Sequence, residues 1–196
     1  MHISPSTPAR VLRDLSLIAA VGLLFGALAH GGIVLTREQS RIAALWLPNA
    51  MLTALLLKKK QGSDFGYIGA AFLANVAANL IGGDPLDRAA GLSVCNSVEI
   101  MLVVHLVRRL CDAKPDMMNL RHLMVFSLVG GLAVPALSGL IAMSVLTWPE
   151  WTFDFKLWMS WVAADGLGML IIAPVIMIFT DAWRDRAYGQ IGRAHV

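Results

Sequence analysis

The chain of 196 residues is 57% hydrophobic and only 15% charged, with a formal net charge of +3. Soluble domains carry about 25% charged residues, and here the charges fall in short clusters between long apolar runs. That pattern excludes an ordinary soluble enzyme, and basic residues beside apolar runs suit membrane topology better than nucleic-acid phosphates.

Six apolar segments predict an all-α, polytopic transmembrane helical bundle of about six spans. Runs near 20 residues cross as single helices, because hydrocarbon offers no partner for an open backbone group. The first segment, Leu15–Leu35, follows Arg10 and Arg13 and contains Ala27-Leu28-Ala29, which mimics a signal-peptide cleavage site. The apolar run continues to Leu35, which favours a span over a cleaved leader. The second and third segments, Ile42–Leu57 and Phe65–Ile81, are short for a full crossing, so tilt, local thinning or a broken helix is expected there. The fourth to sixth are Ala89–Val107, Leu123–Leu146 and Trp158–Phe179. Pro48, Pro135 and Pro174 lie inside spans, where proline kinks a helix and frees a carbonyl.

Loop charges orient the bundle with both termini cytoplasmic. The inner side would hold Arg10, Arg13, Lys58, Lys59, Lys60, Arg108, Arg109, Lys114, Arg121, Arg184 and Arg186, the outer side only Arg37, Arg41, Arg88 and Lys156. The outer stretch Thr147–Lys156 adds Trp148 and Trp151, amphipathic anchors suited to an interface. Residues 1–14 are then a cytoplasmic segment, 15–180 a transmembrane domain that is incomplete, and 181–190 a second cytoplasmic segment. The ending Ile191-Gly192-Arg193-Ala194-His195-Val196 reads like a translated sequencing adapter, so a natural protein is expected to continue past it.

Polar groups at bilayer depth are expensive, about 2.5–3.5 kcal/mol for a charge on the gentlest scale. Glu99 and Asp165 lie within the fourth and sixth segments, with Asn49 in the second, Asn75 and Asn79 in the third and Asn96 in the fourth. Asn75 and Asn79 share a helix face, as do Asn96 and Glu99, and as do Trp158, Trp161 and Asp165. At 1.5 Å per residue, Asn49, Asn75, Asn96 and Asp165 lie about 10 Å deep and Glu99 about 15 Å deep. Each Asn taken singly suits interhelical glue. The set, with two acids at matched depth, suits a ligand or proton site, since protonation keeps an acid neutral in apolar surroundings. Asn49, Asn75, Asn96, Glu99 and Asp165 are therefore the candidates, with both readings open.

The remaining features imply packing. Gly69-Ala70-Ala71, Ala77-Ala78, Gly130-Gly131, Gly139, Gly166 and Gly168 allow helices to approach closely. Cys95 and Cys111 form neither a disulfide framework nor a metal spacing. His30 and His105 sit at different depths, and Met117 and Met118 read as apolar filler. No nucleotide, hydrolase or metalloprotease signature is present, so the sequence implies no catalytic residue, no metal and no cofactor.

Four segments resemble a known family, the membrane-associated sensor domains of bacterial signalling proteins, of the first MASE type. They are Trp46-Leu47-Pro48-Asn49-Ala50, Phe72-Leu73-Ala74-Asn75 after Ile68-Gly69-Ala70, and Asn96-Ser97-Val98-Glu99. The fourth runs from Trp161 through Asp165-Gly166-Leu167-Gly168 to Ala173-Pro174. Trp46, Pro48, Trp161, Gly166, Gly168 and Pro174 are the structural positions of those motifs. The resemblance implies a larger array, of eight spans, followed by a cytoplasmic GGDEF, EAL or histidine-kinase module. On that likeness the chain is a multi-pass sensory input domain of the bacterial inner membrane. Its partners would be the lipid bilayer, an unknown small ligand or stimulus, and a second copy joined through the output module, with no nucleic acid. A transporter or permease fragment is the alternative, since it too places polar groups near the midplane. A membrane enzyme using Glu99 or Asp165 as acid or base lacks a nucleophile or metal partner.

Overall fold

In a computed structural model, residues 8–38, 45–59, 64–111 and 115–193 are described, without the side chains of 36–38 and 184–193. The expectations for Arg41, Lys60, Lys114 and residues 194–196 lie outside the described residues, and nothing is described of the side chains of Arg37, Arg184, Arg186 and the rest of the adapter-like ending. Among the described residues every regular element is helical: α1 (Pro8–Glu38), α2 (Leu47–Lys58), α3 (Asp64–Ile81), α4 (Leu86–Leu110), α5 (Leu120–Leu128), α6 (Val134–Leu146) and α7 (Phe155–Arg193). A single π-helical turn, Val129–Ala133, joins α5 to α6, so that the pair runs as one crossing. Among the described residues, five crossings are long and apolar enough to span a membrane.

Local chemistry sets the ends. Asn119 caps α5 by accepting from the backbone N–H groups of Arg121 at 2.9 Å and His122 at 3.4 Å. Asp154 does the same for α7 through Lys156 at 2.9 Å and Leu157 at 3.1 Å. The end of α3 is a Schellman closure: Asp84 N–H reaches Asn79 O, Gly83 N–H reaches Leu80 O, and Gly83 adopts φ 91°. Pro85 then starts α4 antiparallel to α3.

Close approaches of backbone set the packing. Along α1 and α3, Ile18 meets Gly66, Gly22 meets Ala70, Gly26 meets Ala74 and Ile33 meets Gly82, so the two helices run parallel with small residues at four-residue spacing on both. Gly69, expected at such an interface, instead faces open space. Pro135 removes the N–H that Gly131 O would accept in a regular helix, and that carbonyl lies against Gly166 of α7, where a Cβ would collide with it. The Gly130-Gly131 doublet thus forms the π turn and a helix contact at once.

The second apolar segment departs from a full span. Its helix begins only at Leu47, with Pro48 in the first turn, where a missing N–H costs nothing. Trp46 is extended (φ −100°, ψ 97°), donates its backbone N–H to Ala164 O at 3.0 Å, and sets its own carbonyl against Gly168. Ala164 lies about 14 Å along α7 from its start. α2 therefore begins near mid-depth, and its 12 residues cover only about 18 Å of a hydrocarbon core near 30 Å. Nearly every side chain of α2 is buried, as expected for a helix apolar on all sides. Leu52, Leu56 and Leu57 pack with Ile100, Val103 and Val107 of α4, Met169 and Met177 of α7, and Phe25 of α1. The outward faces expose Leu23, Leu73, Leu132 and Phe179, as lipid-facing surfaces do.

Gly168→Ala is expected to lower stability by about 1–3 kcal/mol, because the added carbon meets backbone and has no rotamer to escape into. Gly69→Ala should be neutral or stabilising by up to about 1 kcal/mol, a helix-propensity gain in open space. Unfolding midpoints of the two variants in detergent micelles check the contrast.

Candidate functional site

The start of α2 ties three helices together through one side chain. Asn49 is fully buried, and its Nδ2 lies 3.2 Å from Asn96 Oδ1, 3.2 Å from Glu99 Oε1 and 3.3 Å from Asp165 Oδ1. Its Oδ1 accepts from Trp46 Nε1 at 3.3 Å. Asn96 and Glu99 come from α4 and Asp165 from α7. α6 joins through Ser138, whose hydroxyl donates to Glu99 Oε2 and accepts from Trp161 Nε1 at 3.2 Å. Trp158 anchors the same face by donating to Ala136 O at 3.0 Å, and Gly139 leaves room for both indoles.

An amide nitrogen has two hydrogens, yet three acceptors surround this one. Both acids share that donor, Glu99 with the Ser138 hydroxyl besides, and among the described residues no Lys, Arg or His bonds to either. The arrangement can therefore change hands: a proton or an outside donor relieves one carboxyl and frees the amide for the other.

Of the five residues expected to form a site, Asn49, Asn96, Glu99 and Asp165 are thus joined by direct hydrogen bonds. Asn75 is buried at a similar level but bonds elsewhere: Asn79 Nδ2 donates to Asn75 O at 2.9 Å and to Asn75 Oδ1 at 3.2 Å. Among the structural positions, Trp46, Pro48, Gly166 and Gly168 form the docking of α2 and α6 on α7, and Pro174 lies inside α7. Among the described residues no three His, Cys, Asp or Glu side chains gather as metal ligands, and Cys95 and Cys111 are both buried.

A second polar grip holds the other end of α2. Arg108 of α4 donates to Asp64 Oδ2 at 2.5 Å, to Leu56 O at 2.5 Å and to Lys59 O at 3.4 Å, capping the α2 carbonyls while pairing with α3. Lys58 pairs with Asp181 of α7, and Lys59 Nζ lies 3.6 Å from the centre of the Tyr67 ring. Ser138 and this grip escaped the reading by intramembrane cost. Lys58, Lys59 and Arg108 read there only as topology signals, although Asp64 and Asp181 at the matching ends of neighbouring segments were the available clue.

Asn49→Leu should cost at least about 2 kcal/mol, because it strands Asn96, Glu99 and Asp165 at once. Met51→Leu, close in volume on the same helix, should cost less than about 1.5 kcal/mol. Denaturant titration in micelles, followed by helicity, compares them.

No curated protein and no solved structure is a match to the chain. The family model MASE1 matches residues 17–195, nearly the whole chain, and bears out the resemblance carried by the four motifs. Of the motif residues, Trp46, Pro48, Asn49, Asn96, Glu99, Asp165 and Gly168 seat α2 or surround its first turn. The chain belongs to the MASE1 family of membrane sensory domains and is a multi-pass membrane protein of signal transduction.

Proposed function

We propose that the chain is the sensory input region of a bacterial inner-membrane signalling protein. It couples an unknown small ligand, or a proton, to an output module further along the polypeptide, either a diguanylate cyclase or phosphodiesterase, or a histidine kinase. The observation that carries this reading is the single Asn49 amide shared among Asn96, Glu99 and Asp165. The two buried acids and three amides, Asn75 included, are the residues a stimulus would address. The fragment itself acts as no enzyme on this reading, and a second copy joins through the output module.

Orientation follows from charge. The end of α4 with Arg108, the end of α2 with Lys58, the start of α3 with Asp64 and the Asp181 stretch of α7 meet on one side of the bundle. Ile18 against Gly66 brings the start of α1, with Arg10 and Arg13, to the same side. This supports a cytoplasmic side there, with residues 1–14 and the chain beyond 180 facing it.

The physical requirement is a stimulus that binds two packings of the bundle unequally, because equal affinity shifts nothing. α2 is suited to carry the difference: its first turn is bonded to α7 through Asp165 and its last turn through Asp181. A changed bond at Asn49 therefore alters the strain on the contact at Lys58. A second reading, a transporter fragment, is favoured by one observation, the half-length helix starting at mid-depth. Solute flux in reconstituted vesicles separates the two, being expected for a transporter and absent for a sensor.

In the full-length protein, Glu99→Gln and Asp165→Asn are each expected to shift basal output and to blunt the stimulus response by about tenfold, the scale of a 1.4 kcal/mol change in coupling. Output is read as cyclic dinucleotide turnover or autophosphorylation in membranes. Unchanged output and response in both variants would remove the site from the mechanism.

A further inference from the structure

Asn75 poses a separate problem. It is 1% exposed, its Oδ1 is taken by Asn79, and its Nδ2 donates to nothing among the described residues. A buried amide donor without an acceptor costs about 1–3 kcal/mol, and such groups usually meet water when the surroundings are polar.

The surroundings are polar. Residues 70 and 74 turn α3 toward α1, and at 100° per residue Asn75 and Asn79 point away from that contact, into the bundle and toward α4. The α3–α4 pair is fixed at one end by the turn Gly82–Pro85 and at the other by Arg108 on Asp64. That register sets Asn75 and Asn79 at the level of Ser93, Asn96 and Ser97. Ser93 and Asn96 are buried and Ser97 is half-buried. On α4 these three fall in an arc that continues into Glu99, so the face turned to α3 and the face turned to α6 and α7 are linked by Asn96. Asn96 Oδ1 is already bonded to Asn49. At the other end, Asn79 O accepts the Asp84 N–H of the exposed Gly83 turn.

We propose that water enters the bundle from the α3–α4 turn along a seam formed by Asn79, Asn75, Ser93, Ser97 and Asn96, with an ordered molecule held on Asn75 Nδ2, and so reaches the Asn49 cluster. Asn75 donates to this water, while a serine hydroxyl or the Asn96 carbonyl oxygen receives its hydrogens. The seam supplies the two to four polar partners a buried water needs. It gives Glu99 and Asp165 an aqueous route from the face opposite Lys58, through an otherwise apolar wall. The proposal deepens the reading of the Asn49 cluster as a site, by naming how a polar stimulus arrives there.

Cysteine accessibility tests it. Asn75→Cys and Asn79→Cys are made in a Cys95→Ala/Cys111→Ala background and reconstituted in sealed vesicles. A small, charged, membrane-impermeant methanethiosulfonate is then added to one side at a time. Gly83→Cys marks the turn side, and lipid-facing Leu73→Cys marks a dry position on the same helix. Both seam cysteines should react at least about tenfold faster than Leu73→Cys, as expected of a hydrated over an apolar environment, and only from the side that labels Gly83→Cys. Rates equal to that of Leu73→Cys, or labelling from the opposite side, would overturn the seam. Should Asn75→Cys fail to fold, Asn79→Cys one turn nearer the surface decides by the same rates. A dry seam would leave the Asn49 cluster to be judged by the Glu99 and Asp165 substitutions, so the two ideas fail separately.

Discussion

A helix of 12 residues cannot span hydrocarbon, and the architecture follows from how α2 is nevertheless kept at mid-depth. Its apolar side chains suit the interior, but its two ends carry open backbone groups that lipid cannot satisfy. At the first end, an extended residue gives its N–H to Ala164 O, Pro48 brings no N–H at all, and Asn49 turns the local polarity into bonds with α4 and α7. At the last end, the Arg108 guanidinium covers Leu56 O and Lys59 O while pairing with Asp64. Remove either termination and a buried backbone end is left open, which is why α2 needs protein around it on every side.

The glycines of α7 follow from the same requirement. An extended strand of chain can lie against a helix only where that helix lacks a side chain, and Gly168 provides the place for Trp46. One half-turn earlier, Gly166 receives the Gly131 carbonyl that Pro135 releases from the α5–α6 crossing. Two backbone-to-backbone approaches, two residues apart, thus fix α2 on one flank of α7 and α6 on another. Around the helix Asp165 points between the directions of Gly166 and Gly168, so its carboxyl is delivered to the junction by packing rather than by its own bonds.

Intramembrane cost made Asn49, Asn96, Glu99 and Asp165 legible from sequence, because polar groups in apolar runs have few reasons to exist. Apolar run length likewise made the crossings legible, including the shortness of the second. Three things were hidden. The break before Leu47 depends on Gly168, more than a hundred residues away, and no local signal carries that distance. Ser138 is one hydroxyl in an apolar run and gains meaning only opposite Glu99. Gly69 and Gly22 look alike in sequence, yet only Gly22 lies on the α1–α3 contact, since helix rotation is set by partners and not by composition.

Two ties join α2 to α7, at Asp165 and at Asp181, and the two helices run in the same direction. Between those ties α7 contains Pro174, whose missing N–H leaves Leu170 O without its helical partner and softens the helix there. Leu170 is also the side chain that lies over Gly131 at the π turn. A short helix is therefore fastened across a stretch of a long one that lacks a helical hydrogen bond. On the proposed reading, a proton or ligand that redistributes the Asn49 bonds changes the load on the upper tie. The lower tie resists, and the turn at Pro174, short of one helical hydrogen bond, is where the difference would be absorbed. Because α7 continues beyond Asp181 to Arg193 as one helix, bending at Pro174 would alter the direction in which the chain leaves the bundle. On that reading, converting a hydrogen-bond choice into a helix direction would need no large motion, only a short helix tied at both ends across a long helix that lacks one hydrogen bond between the ties.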